Sequence, residues 1–235
     1  MGYEDTHASF EAMLEARGVS RRSFLKLCGT VAAAAGVAQL TVPQVAQALE
    51  ESVIGAKEGK LYPVIWIEGA SCTGCTEAFA QTDNPDPATI VLEMISLNYN
   101  ETLSAAAGWS MEEAKEQTIS AGNYILVYEG APLEGWGGQA LRVANEPGID
   151  HLAHAAWNAN AVVALGSCAV NGGWMAATSK VSKEVGALGV GQYLKKAGVK
   201  TPVINIPGCP ANPEWLVAVL VDVVMMGIMP AINSA

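Results

Sequence analysis

Four short apolar runs, each closed by a glycine, constrain this chain more than any other feature. They are residues 63–67 before Gly69, 124–128 before Gly130, 162–165 before Gly166 and 203–206 before Gly208. Runs this short, with little alternation of polar and apolar residues, suit strands buried on both faces. Helical patterns lie between and after them. Residues 110–121 begin Ser-Met-Glu-Glu, with Ser110 placed as an N-cap and Glu113 three residues on, the pattern of a capping box. Residues 149–159 and 190–197 have helical patterns too, and Pro213 opens a helix that runs to Met226. Alternation of strand and helix predicts an α/β fold with a doubly wound parallel sheet.

The 235 residues are 51% hydrophobic and 15% charged, which excludes a disordered or heavily solvated chain. The formal net charge of -10 would repel phosphates, so nucleic acid is not an expected partner. Residues 216–229 are almost wholly apolar apart from Asp222. That stretch falls short of the roughly 20 residues a membrane span needs, so a buried helix is the expectation.

The N-terminal part reads as an address. Residues 20–26 are Ser-Arg-Arg-Ser-Phe-Leu-Lys, followed by an Ala- and Gly-rich apolar stretch and by Ala46-Gln47-Ala48. This order of charged, apolar and small-residue regions marks a secretory signal, and the arginine pair followed by Phe-Leu-Lys resembles a twin-arginine signal. A membrane anchor is the rival reading, but the stretch is weakly apolar and Pro43 interrupts it. The expected organisation is a signal peptide over residues 1–48 and one domain over residues 49–235. Location would be the periplasm, or the outer side of the cytoplasmic membrane. The twin-arginine route carries folded proteins, which suits a chain loaded with a cofactor before export.

Removal of the signal takes Cys28 with it and leaves Cys72, Cys75, Cys168 and Cys209. The first two form Cys-Thr-Gly-Cys after the first apolar run, Cys168 follows the third run and Cys209 the fourth. In an open α/β sheet, functional groups gather beyond the carboxyl ends of the strands. The four thiols are therefore predicted to converge on one edge. A 4Fe–4S cluster, a 2Fe–2S cluster, a structural zinc or two disulfides could use such a set. One close pair plus two separate cysteines makes a wide cage, which suits a cluster better than a single ion. A preloaded cofactor would also keep the thiols from pairing.

Three motifs together resemble the small subunit of nickel–iron hydrogenases: Cys-Thr-Gly-Cys-Thr-Glu at 72–77, Gly-Ser-Cys-Ala at 166–169 with Gly172-Gly173, and Pro-Gly-Cys-Pro at 207–210. Residues 95–103 (Ile-Ser-Leu-Asn-Tyr-Asn-Glu-Thr-Leu) and 124–130 (Tyr-Ile-Leu-Val-Tyr-Glu-Gly) are similar to that family as well, as is the signal. The resemblance implies a flavodoxin-like domain in which Cys72, Cys75, Cys168 and Cys209 bind one proximal 4Fe–4S cluster. It implies a partner large subunit carrying a nickel–iron centre, and the reversible oxidation of dihydrogen to protons and electrons. The chain would be the electron-transferring subunit of an uptake-type enzyme. It departs from the family in lacking the cysteines of a second cluster-binding domain, so an additional electron-transfer subunit docking near the C-terminus is expected if the short form is natural. Gly74 also stands where some oxygen-tolerant relatives have an extra cysteine, which points to an ordinary four-cysteine cubane. The rival functions are a single-cluster module of another redox complex and a structural zinc domain.

Other residues carry two readings each. Glu77 is either a buried carboxylate at a subunit interface or a helix-start acid. Thr73 and Thr76 donate either to cluster sulfurs or to the local backbone. His151 and His154 read as a pair on a helix surface rather than half of a metal site. Trp109, Trp136, Trp157, Trp174 and Trp215 are expected in the core or at an interface. Residues 135–138 (Gly-Trp-Gly-Gly) lack the frame of a phosphate-binding loop. Segments 72–79 and 95–103 are the expected partner face.

Overall fold

A computed structural model describes residues 61–83, 85–177 and 181–225. The expected leader, Cys28 and residues 226–235 lie outside the described residues. Strands β1 (Tyr62–Glu68), β2 (Ile95–Tyr99), β3 (Ile125–Glu129), β6 (Ala161–Leu165) and β7 (Val203–Ile206) form a parallel sheet in the order β2-β1-β3-β6-β7. Two short strands, β4 (Arg142–Val143) and β5 (Glu146–Pro147), make a separate hairpin. The helices are α1 (Gly74–Ala80), α2 (Pro87–Thr89), α3 (Trp109–Ala121), α4 (Gly148–Trp157), α5 (Gly166–Asn171), α6 (Gly173–Ala177), α7 (Val181–Val185), α8 (Val190–Lys196) and α9 (Pro213–Leu220). The strand order is that of a flavodoxin-like fold, as expected.

Successive side chains of each strand serve opposite cores. Val64, Trp66, Val127 and Val163 face a layer built with Phe79 of α1 and Leu216 and Leu220 of α9. Ile65, Ile67, Leu126 and Val162 face the other layer, with Ile119 of α3, Leu152 of α4 and Leu194 of α8. The central strands β3 and β6 are buried along their whole length, which is why their sequences do not alternate.

The four predicted strands are all present, and the structure adds β2. Its Ile-Ser-Leu-Asn-Tyr sequence carries polar Ser96 and Asn98 because it is an edge strand with one side unpaired. The capping expectation for α3 is corrected. The helix starts at Trp109 with Gly108 as N-cap, at φ 61°, a backbone that favours glycine. Ser110 thus falls inside the first turn and donates to Ala107 O at 2.9 Å, while Glu113 accepts from Gln117 instead. Helix α9 begins as expected, its Asn212 side chain accepting from Glu214 N at 2.9 Å with Pro213 in the first turn. It continues as a π-helical segment, Val221–Met225.

The core half of the tryptophan expectation is corrected, and the buried Trp66 lies outside that set. Trp66 is buried against Phe79, ring centroids 5.4 Å apart. Trp109, Trp136, Trp157, Trp174 and Trp215 are exposed in this chain, so none is a core residue. Among the described residues, no helix is long and apolar enough to cross a membrane.

Asp222 is the one polar break in the apolar C-terminal pattern. It is 1% exposed, and among the described residues neither carboxylate oxygen has a hydrogen-bond partner. Burial pushes its carboxyl up to about 6. Folding raises this pKa above the unfolded value near about 3.9, so the contribution is fully present below that value. It is lost as pH rises through 6, where the fold must hold a bare anion. Asp222→Asn is expected to raise the thermal midpoint at alkaline pH by about 4 °C and to leave it unchanged in acid, measured by calorimetry across pH.

Candidate functional site

The strand register brings the site together. Glu68 of β1 pairs with Glu129 of β3, Glu129 with Leu165 of β6, and Leu165 with Ile206 of β7. These four strands therefore end on one rung, and the chain supplies its cysteines just beyond it. Cys75 sits in the first turn of α1 and Cys168 in the first turn of α5. Cys72 and Cys209 lie in loops and are exposed, whereas Cys75 and Cys168 are half-buried. All four line one pocket, with Ser71, Gly166 and Gly208 among its walls. All four are free thiols, so the two-disulfide reading does not describe this structure.

Among the described residues, no set of His, Cys, Asp or Glu side chains is gathered closely enough to hold a single metal ion. A zinc site needs every sulfur about 2.3 Å from the metal. Four convergent, unpaired cysteine sulfurs are the donor set of a multi-iron cluster.

Glycines make room for the sulfurs. A Cβ on Gly166, which has φ +85°, would lie 2.6 Å from Cys75 Sγ, and one on Gly173 would lie 2.8 Å from Cys168 Sγ. Ser167 and Gly208 lock two of the loops together, through Ser167 N to Gly208 O at 2.7 Å and Gly208 N to Ser167 Oγ at 3.2 Å. Ala211 N donates to Cys75 Sγ at 3.4 Å. Burial pushes the Cys75 thiol up to about 11, opposed by that Ala211 N–H and reinforced by Glu129. Metal binding there must displace a firmly held proton.

Sequence reasoning missed the residue that organises this edge. Glu129 is 2% exposed and uses both oxygens. Oε1 accepts from Ser71 Oγ at 2.7 Å and Cys75 N at 3.0 Å. Oε2 accepts from Thr76 N at 2.9 Å and Thr76 Oγ1 at 2.7 Å. A carboxylate on the free N–H groups of a helix start is favourable twice over, by hydrogen bonding and by the helix dipole. The signal was present as one acid at the end of a fully apolar strand. Beside it, Glu101 Oε2 accepts from Glu68 N at 3.0 Å, and burial, reinforced by the Glu68 carboxylate, pushes Glu101 up to about 7.

Several expectations resolve here. The hydroxyls of Thr73 and Thr76 donate to carboxylates: Thr73 Oγ1 to Glu68 at 3.3 Å and Thr76 Oγ1 to Glu129 at 2.7 Å. The nearby carboxylates are the stronger acceptors. Glu77 is exposed in the first turn of α1 of this chain, the place of a helix-start acid. The histidine expectation is corrected. His154 is on the surface with Glu116, but His151 is buried, because α4 turns it toward Lys115 of α3.

Glu129→Ala is expected to lower unfolding stability by about 3 kcal/mol in urea titration, because four donors lose their acceptor. Gly166→Ala is expected to reduce iron content after anaerobic reconstitution while the far-ultraviolet circular dichroism stays unchanged.

The chain's likeness to known proteins matches this geometry. The family model described as "NADH ubiquinone oxidoreductase, 20 Kd subunit" matches residues 72–223. The periplasmic [NiFe] hydrogenase small subunit of Solidesulfovibrio fructosivorans is 42% identical over 221 residues, which are 93% of this chain and 65% of that protein. The Hydrogenase-2 small chain of Escherichia coli K12 is 38% identical over 225 residues, 94% of this chain and 56% of that one. The chain therefore spans somewhat more than half the length of these relatives. Among solved structures, the [NiFeSe] hydrogenase of Desulfovibrio vulgaris Hildenborough matches with a TM-score of 0.64 and 34% identity, covering 68% of this chain and 58% of that one. With the family model spanning well over half of it, the chain belongs to the NADH ubiquinone oxidoreductase 20 Kd subunit family, and its curated relatives there are hydrogenase small subunits.

Proposed function

We propose that this chain is the electron-transferring small subunit of an uptake-type nickel–iron hydrogenase, with Cys72, Cys75, Cys168 and Cys209 as the ligands of one proximal 4Fe–4S cluster. The observation that carries the reading is the convergence of these four free thiols on one sheet edge. When bound, such a cluster accepts and passes on single electrons. The nickel–iron centre, and with it the cleavage of dihydrogen, would belong to a large subunit.

The chain's own residues set the terms of that transfer. Glu129 fixes the first turn of α1, and so the position of Cys75. The Ala211 N–H reaches the Cys75 sulfur, a contact of the kind that tunes a cluster's potential. A groove of about 460 Å³ lined by uncharged residues, among them Phe79, Leu92, Leu97 and Leu103, runs beside segments 72–79 and 95–103. That groove supports placing part of the partner face there. Export by the twin-arginine route, a location outside the cytoplasmic membrane and an onward electron acceptor near the C-terminus belong to the same proposal. The second reading, a one-cluster module of another redox complex, draws on the description of the family itself.

Anaerobic purification of the tagged chain from its native host tests both. Nickel together with iron, and hydrogen-dependent reduction of a viologen dye, are expected. Iron without nickel would favour the second reading, and zinc alone would defeat both. Cys168→Ser is expected to abolish hydrogen-dependent dye reduction while the nickel-containing partner still co-purifies.

A further inference from the structure

On the far face of the sheet, helices α3 and α4 share a buried polar cluster that the thiol site does not use. Lys115 is 2% exposed and His151 4%. Lys115 Nζ lies 2.9 Å from His151 Nδ1, is paired with Glu112 and stands 5.0 Å from the centre of the Tyr99 ring. Tyr99 OH donates to Glu112 Oε1 at 2.9 Å. An ammonium group can only donate. Nδ1 must therefore accept, and the imidazole is neutral with its proton on Nε2. That nitrogen faces Glu146 Oε2 of β5 at 3.8 Å. Glu116, one turn along α3, is the remaining charged group within reach and is engaged by His154 at 2.8 Å.

Protonation of His151 would set a second positive charge against the ammonium and remove the acceptor Lys115 uses. Glu112, Glu116 and Glu146 oppose this, but Glu146 is 67% exposed, so water and salt screen its attraction. Burial first, and Lys115 second, hold His151 below the usual imidazole range. Helix α4 is also joined tightly to what precedes it. Gly148 N donates to Leu141 O at 2.8 Å, and a Cβ on Gly138 would lie 2.6 Å from Ile149 Cδ1. The turn at Gly135–Gly138, the β4–β5 hairpin and the start of α4 thus form one packed unit, which leads back to Gly130 in the wall of the thiol pocket.

We propose that the Lys115–His151 contact is a proton-sensitive latch: neutral His151 fixes the β4–β5 hairpin and the first turn of α4, residues 139–151, to α3, and acidification releases them while the sheet and the rest of α4, with Leu152, Ala155 and Ala156 in the core, stay folded. The sign follows from linkage. Released, His151 binds a proton more readily than it does latched, so the latch is at full strength above the unfolded range near about 6.5 and weakens as pH falls through it.

Hydrogen exchange of the complex carrying the full chain, corrected for intrinsic rates, tests this between about pH 7.5 and about pH 5.5. Exchange in residues 139–151 is expected to rise about tenfold in acid, with strands β3 and β6 unchanged. In His151→Gln, whose side-chain carbonyl still accepts from Lys115, no rise is expected. A flat wild-type profile, an equal rise in the strands, or the same rise in His151→Gln would overturn the latch. Should the variant fail to fold, wild-type protein with 13C-labelled histidine decides. His151 titrating only below about pH 6.5, in step with exchange, supports the latch, and titration at or above that value overturns it.

Discussion

A single rung across the sheet, Glu68–Glu129–Leu165–Ile206, governs this molecule. Parallel strands that end level deliver their following loops to one edge, and three of the four loops carry cysteine. The register by itself brings the thiols near one another. The buried Glu129 carboxylate then sets the finer geometry, because it binds the N–H groups of Cys75 and Thr76 across a sequence gap of more than fifty residues. Without that acceptor, the first turn of α1 would expose free donors inside the protein.

Most of the fold was legible in the chain's pattern. The central strands show as unbroken apolar runs because both their faces are covered, and the cysteines stand directly after them. Strand β2 was not legible as a strand. At the sheet's edge, Ser96 and Asn98 need no apolar cover, so the local pattern weakens. The start of α3 was misplaced because Gly108 turns the chain at a positive φ, ahead of the serine that looks like the cap.

The candidate site was legible in its thiols and not in its supports. Glu129 pairs with groups more than fifty residues away, and Lys115 with His151 across 36. Such pairings follow from helix placement and leave no mark in local composition. Both are buried charged or titratable groups with partners, and both link a helix to a neighbouring element. They differ in consequence. Glu129 accepts four hydrogen bonds, while His151 accepts one from a cation and cannot keep that bond once protonated. Asp222, buried without a hydrogen-bond partner among the described residues, is the contrasting case: its burial carries a cost and no compensating contact there.

In the proposed function, Cys72, Cys75, Cys168 and Cys209 together hold one cubane cluster. Mössbauer spectroscopy of the 57Fe-labelled chain, reconstituted anaerobically with iron and sulfide, tests it most directly. The expected spectrum is that of a single 4Fe–4S species at about four iron per chain, lost when any of the four cysteines becomes serine. A spectrum of isolated ferrous or ferric ions, or a cluster that survives loss of one of these thiols unchanged, would contradict it.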